Sequence, residues 1–178
     1  GARAGRLQMP LTPARLWAAR DLALEATRIG TRKARFARVA DHVDSPPRLA
    51  RLPALQTWPR DGGRFITLPL VTTEHPVKGT PNLGMYRIQL YDEADGGSRT
   101  GLHMQIGKGG GFHYALAEAA NEPLPVTVFL GGPPALMLSA IAPLPENVPE
   151  LMLASLIAGE RLARVPGAFG HPHPLVAN

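Results

Sequence analysis

The sequence predicts an α+β fold built on a β-rich core. Two observations lead there. Between residues 64 and 130, four short stretches rich in β-branched or large apolar residues are each bounded by Gly, Pro, Asn or Asp, as strands are. Three short helix-like patches accompany them, too short and too scattered for a helical bundle. The 178 residues are one domain's worth of chain, long enough to bury a core.

In chain order, residues 10–42 read as a basic helix. Thr12, between Pro10 and Pro13, is a suitable N-cap, and the stretch through Ala40 contains no Pro. Leu16, Ala19, Ala23, Ala26 and Thr27 fall near one face, with Arg15, Arg20, Arg28 and Arg32 mostly on others; Gly30 interrupts or kinks the element. Pro46, Pro47, Pro53 and Pro59 then prevent any long element before a turn at Asp61-Gly62-Gly63. Strands are expected over 64–72, 85–91, 101–106 and 126–130, and helices over 112–121, 133–141 and 149–157. The Gly-Pro-His tail, 166–178, is expected to be disordered. The resulting division is an N-terminal helical and Pro-rich segment (1–57), a β-rich domain (58–165) and the tail.

Composition narrows the chemistry. With no Cys, disulfide frameworks, thiolate zinc sites, iron–sulfur clusters and cysteine nucleophiles are excluded. The net charge of +5 is unevenly placed: residues 1–64 carry 13 Lys/Arg against 5 Asp/Glu, and residues 65–178 carry 6 against 9. The basic excess therefore belongs to the N-terminal third, where only Trp17, Phe36 and Trp58 stand among the arginines, too sparse for a base-stacking surface. A solvated helix face is the better reading there, and no nucleic-acid partner is expected. No apolar run approaches the ~18 residues of a membrane span, no signal-peptide core stands at the start, and a cytoplasmic location is expected.

Three segments could carry chemistry. Pro81-Asn82-Leu83-Gly84-Met85-Tyr86-Arg87 sets an amide and a guanidinium five residues apart; strand alternation would send them to opposite faces, so sharing a site requires a bend near Gly84. A turn Asn and a surface Arg is the simpler alternative. In Gly101-Leu102-His103-Met104-Gln105-Ile106-Gly107-Lys108-Gly109-Gly110-Gly111, a strand presenting His103 and Gln105 on one face runs into glycines with a lysine. Free backbone N–H groups beside an ammonium suit a phosphate, but the spacing is neither Walker A nor G-x-G-x-x-G, and a hairpin turn explains it equally. The third runs from Gly131-Gly132-Pro133-Pro134 to Pro149-Glu150. Its irregular backbone could offer carbonyls to a hard cation, while helix-dipole stabilisation alone would account for Glu150.

Taken in order, Asp61-Gly62-Gly63-Arg64-Phe65-Ile66-Thr67-Leu68-Pro69-Leu70, Asn82 to Arg87, His103-Met104-Gln105-Ile106 with Lys108-Gly109-Gly110, Glu122-Pro123-Leu124-Pro125-Val126 and Ala142-Pro143-Leu144-Pro145-Glu146 closely resemble the UbiD family of decarboxylases. The resemblance runs from about Trp58 to Val165. It implies a split β-barrel flavin-binding domain that holds prenylated FMN, with the phosphate bound through Mn²⁺ and a K⁺ nearby. Asn82 and Glu150 match metal-ligand positions and His103 a metal-ligand or phosphate-contacting position, and amide, imidazole and carboxylate make a reasonable set for Mn²⁺. Met85, Tyr86, Arg87, His103, Met104, Gln105, Lys108 and Gly109 match cofactor-contacting positions. Arg87 also matches the arginine that pairs with the catalytic acid and orients the substrate carboxylate, a role suited to its bidentate fork.

The implied activity is non-oxidative, reversible decarboxylation of an aromatic or α,β-unsaturated carboxylic acid, a chemistry that in this family includes precursors of ubiquinone and menaquinone. The proton-donating carboxylate and the C-terminal domain of relatives match nothing here. The chain is therefore expected to be an isolated or truncated cofactor-binding domain, completed by self-association or by that domain. The alternative is a non-catalytic flavin-binding module or subunit that needs a partner.

Overall fold

A computed structural model describes residues 26–91, 99–106, 109–145, 148–167, 171 and 175–176. In chain order the regular elements are β1 (Thr31–Lys33), β2 (Arg64–Ile66), β3 (Pro69–Glu74), β4 (Pro81–Met85), β5 (Ile88–Leu90), β6 (Thr100–Leu102), α1 (Gly109–Ala119), β7 (Thr127–Leu130), α2 (Pro134–Ile141), α3 (Glu150–Ala158), β8 (Leu162–Val165) and β9 (Leu175–Val176). They form three three-stranded sheets, ordered β4-β3-β7, β2-β5-β6 and β1-β8-β9. The α+β class is as predicted. The sheets are open, and among the described residues no ladder joins them into a barrel.

The central sheet, β4-β3-β7, is antiparallel and works on both faces. Cross-strand pairs put Leu70 opposite Met85 and Thr72 opposite Leu83, alternating with Val71 opposite Gly84 and Thr73 opposite Asn82. On the first face Leu70 and Leu83 join Leu136 of α2, Ala154 of α3 and Leu162 of β8 in the main apolar cluster, with Met85, Phe129, Met137, Ala140 and Leu151 packed against it. On the second face Thr73 meets His113 of α1. Helices thus cover opposite sides of one sheet, and Thr73 and Asn82 fall on the α1 side.

The predicted helix over 10–42 is corrected where the structure describes it. Residues 26–27 are helical, but Gly30 adopts φ +98°, which ends the element, and its N–H donates to Ser155 Oγ at 2.7 Å. The chain then enters β1, which pairs in parallel with β8. Long-range sheet pairing overrides the local Ala- and Arg-rich propensity. Residues 10–25 of that prediction lie outside the described residues.

Two predicted strands are each divided by a corner. The 64–72 stretch becomes β2 and β3, on different sheets, with the break at Thr67–Leu68. The 85–91 stretch ends one strand at Met85 and begins another at Ile88, so that Tyr86 and Arg87 form the passage between the central sheet and β2-β5-β6. The strand expected over 101–106 is only Thr100–Leu102, so His103 and Gln105 lie beyond it and do not share a strand face. Part of the tail expected to be disordered, Leu175–Val176, pairs antiparallel with β8.

Candidate functional site

The site is organised by the start of α1, which begins at Gly109, three residues earlier than expected. Glycine is a poor helix former, so close approach must explain three in a row. A Cβ on Gly109, itself at φ +49°, would stand 2.6 Å from Asn82 Oδ1 and 2.8 Å from the Tyr86 hydroxyl. One on Gly110 would meet the Met104 sulfur at 3.2 Å, and one on Gly111 would overlap the Gln105 backbone carbonyl. The glycine stretch, for which a phosphate cradle and a hairpin turn were equal readings, is therefore a helix N-terminus pressed against β4 and the segment after β6.

Tyr86 crosses this interface. Its ring covers Gly84, where any Cβ would collide with it, and its hydroxyl accepts the Gly110 N–H at 3.1 Å. Asn82 lies beside it on β4. Its Nδ2 is buried and, among the described residues, has no hydrogen-bond partner. Such an orphan costs about 1–3 kcal/mol, so this position calls for an acceptor. Beneath it Thr73 Oγ1 and His113 Nδ1 lie 2.9 Å apart, both buried, and the His75 and His113 rings meet edge-on at 5.5 Å.

Glu150 opens α3, after Pro149 in extended conformation. Its Oε2 accepts the Leu83 N–H at 3.1 Å, which brings a carboxylate alongside β4, one residue from Asn82. Burial raises its pKa above the usual 4.5, against the lowering effect of hydrogen bonds from its own and Leu83's backbone. Asn82 and Glu150 are thus gathered at one strand. His103 belongs to a neighbouring group: its N–H donates to the Arg87 carbonyl at 3.2 Å, and its ring lies 6.0 Å from that of Phe65. Arg87 is exposed, with its guanidinium carbon 5.3 Å from the Phe65 centroid. Gln105 is exposed and Met85 belongs to the apolar side of β4. Lys108 lies outside the described residues, and among the described residues no three His, Asp or Glu side chains converge.

Amide and carboxylate oxygens beside a helix N-terminus suit a hard divalent cation bridging to a phosphate. The glycine cradle, which a Cβ would fill, and the orphaned Asn82 amide both fit a phosphate-bearing ligand. The Thr73–His113 contact was not legible in the sequence, since it joins residues 40 apart on a strand and a helix. Phe65 stands in the sequence as one residue of a longer motif, with no local signal that its ring would seat Arg87 and His103.

His113 makes a pH prediction. Burial chiefly, and His75 secondarily, lower its pKa below 6.5. Between its native value and the unfolded 6.5, the unfolded chain binds more protons, so stability present above about 6.5 is lost as pH falls through that window. Urea midpoints measured between about pH 7.5 and 5.5 should fall more steeply for the wild type than for His113→Gln, whose amide can still meet Thr73 but cannot charge. Parallel pH profiles would contradict the assignment.

The fold is that of the UbiD-class enzymes. An evolved dimeric form of the UbiD-class enzyme HmfF from Pelotomaculum thermopropionicum, solved with prFMN, superposes with a TM-score of 0.72 at 23% identity, over 85% of this chain and 36% of that one. The vanillic acid decarboxylase of Sedimentibacter hydroxybenzoicus in closed form also gives 0.72, at 22% identity, over 94% of this chain and 36% of that one. The chain belongs to the UbiD family, whose 3-octaprenyl-4-hydroxybenzoate carboxy-lyase Rift-related domain matches residues 28–178. That match begins well before the 58–165 region read as the domain from sequence.

Among relatives, a Chlamydia caviae protein is 49% identical over 170 residues, 96% of this chain and 28% of its own length. A 4-hydroxybenzoate decarboxylase subunit from Chlamydia pneumoniae is 50% identical over 161 residues, 90% of this chain and 27% of its own. The chain spans little more than a quarter of the length of these curated relatives. No described helix is long and apolar enough to cross a membrane.

Proposed function

We propose that this chain forms the prenylated-FMN-binding part of a decarboxylase acting on an aromatic or α,β-unsaturated carboxylic acid. The observation that carries this reading is the Gly109–Gly111 helix start closed against Asn82 and Tyr86, with Arg87 at the adjoining corner. Asn82 and Glu150 would hold a divalent cation, Mn²⁺, against the flavin phosphate, with His103 as a third ligand and K⁺ as a companion ion. The backbone N–H groups at the start of α1, with Lys108, would take phosphate oxygens, and Met85, Tyr86, Met104 and Gln105 would line the cofactor.

Bound prenylated FMN supplies the electron sink for the carbanion left when CO₂ departs. Arg87 would fix the substrate carboxylate through its fork of N–H donors and hold it next to the flavin. On this reading the proton that replaces CO₂ comes from a carboxylic acid in the length of the relatives that this chain does not span.

Uptake tests the reading directly. Incubated with prenylated FMN and Mn²⁺, the chain should retain flavin absorbance through gel filtration, and EDTA should release it. Flavin that elutes entirely with the small molecules would refute the proposal.

A second reading is favoured by one observation: Leu138, Ile141 and Leu156 on α2 and α3 are 54%, 64% and 56% exposed. Such a face suits a flavin-binding module that docks on a further domain or subunit to complete the site.

A further inference from the structure

We infer that Phe65 is a positioning residue that presents Arg87 to an aromatic carboxylate. The inference rests on the proposed reading of Arg87 as the carboxylate anchor and adds how that anchor is aimed.

Phe65 is itself fixed. Its N–H donates to the Leu55 carbonyl at 2.9 Å and its carbonyl accepts the Leu55 N–H at 3.3 Å, while β2 pairs it with Gln89 on its other side. Gln89 Nε2 donates to the Gly62 carbonyl at 2.6 Å, tying down the turn that leads into β2. The half-buried ring belongs to neither apolar cluster of the described core. It carries instead the Arg87 guanidinium, 5.3 Å from its centroid, and the tilted His103 imidazole at 6.0 Å. The His103 N–H bond to the Arg87 carbonyl, 3.2 Å, closes the group of three.

The choice of an aromatic ring has a physical consequence. An exposed arginine on its own samples many rotamers. A ring holds the cation through its quadrupole and leaves every N–H of the fork free. Among the described residues no carboxylate pairs with Arg87. The guanidinium is therefore aimed and still available for an anion.

The test is arginine side-chain NMR on the 178-residue chain, in wild type, Phe65→Leu and Phe65→Tyr, titrated with benzoate and, as a neutral control, benzamide. Arg87 δ protons should be ring-shifted upfield in the wild type and in Phe65→Tyr and should lose that shift in Phe65→Leu. Benzoate should move the Arg87 Nε–H signal with an affinity about threefold to fivefold weaker in Phe65→Leu, the loss of one exposed cation–π contact, and restored in Phe65→Tyr. Benzamide should leave the signal unmoved.

Equal benzoate affinity in Phe65→Leu and wild type would overturn the role of Phe65 while leaving Arg87 as anchor. A wild-type Arg87 that ignores benzoate, or answers benzamide equally, would overturn the anchor and the inference together. Should Phe65→Leu not fold, the ring shift in the wild type and its survival in Phe65→Tyr decide the matter, its absence from the wild type refuting the placement.

Discussion

Replacing Gly111 with alanine is expected to destabilise the chain by about 2 kcal/mol or more, although alanine is the better helix former. The helix-propensity gain is about 1 kcal/mol. Against it stands a Cβ that would overlap the Gln105 backbone carbonyl, and backbone cannot rotate aside as a side chain can. Overpacking of this kind costs about 3 kcal/mol, and more where nothing yields. In a chain of this size the net loss corresponds to a fall in melting temperature of about 4–8 °C. Gly62→Ala is the matched control: it is exposed and a Cβ there would meet only the flexible end of Gln89, so a change within about 0.5 kcal/mol is expected. A Gly111→Ala chain that melts at or above the wild-type temperature would show that α1 does not start against the segment after β6.

The second large effect separates function from stability. Asn82→Ala should reduce Mn²⁺-dependent flavin retention by at least about 100-fold, the upper end of what even supporting groups around a metal contribute. It should do so with little loss of melting temperature, because the Nδ2 it removes is buried and, among the described residues, unpartnered. Glu150→Ala should lose flavin to a similar degree but also about 1 kcal/mol of stability, since the Leu83 N–H loses its acceptor. The contrast is the informative part. A residue whose presence costs stability and whose removal costs only ligand binding is held for the ligand. Equilibrium dialysis of flavin, paired with thermal melts of both variants, measures it. Unchanged retention in Asn82→Ala would remove that residue from the site.

Much of the architecture was legible from local patterns. Pro134–Ile141 and Glu150–Ala158 stand where apolar, proline-started stretches indicated helices, and β7 falls within the strand expected over 126–130. What local patterns missed was decided at long range. Gly30 hands the basic N-terminal stretch to a sheet whose partner strand lies some 130 residues later. Pro81–Met85 contains Pro, Asn and Gly, all depleted in strands, and forms one because β3 pairs along its length.

The site divides the same way. The bend that Asn82 and Arg87 required does occur, but at Tyr86–Arg87, between two sheets, rather than at Gly84. Gly84 serves instead as the floor under the Tyr86 ring. That Asn82, Tyr86 and Gly109 meet was suggested only by the ordered motifs shared with the UbiD family, because no periodicity connects a strand, a corner and a helix start. The Thr73–His113 pair and the seat that Phe65 gives Arg87 had no signal at all in the linear sequence.

On the proposed reading, a flavin phosphate and a divalent cation meet at the start of α1. Mn²⁺ is paramagnetic and broadens amide signals close to it, so an ¹⁵N–¹H spectrum recorded with FMN before and after Mn²⁺ addition locates the ion. The Leu83, Gly110 and Gly111 signals should be lost first, with the β1-β8-β9 sheet spared. Uniform broadening, or loss of signals only at sites away from Asn82 and α1, would contradict it.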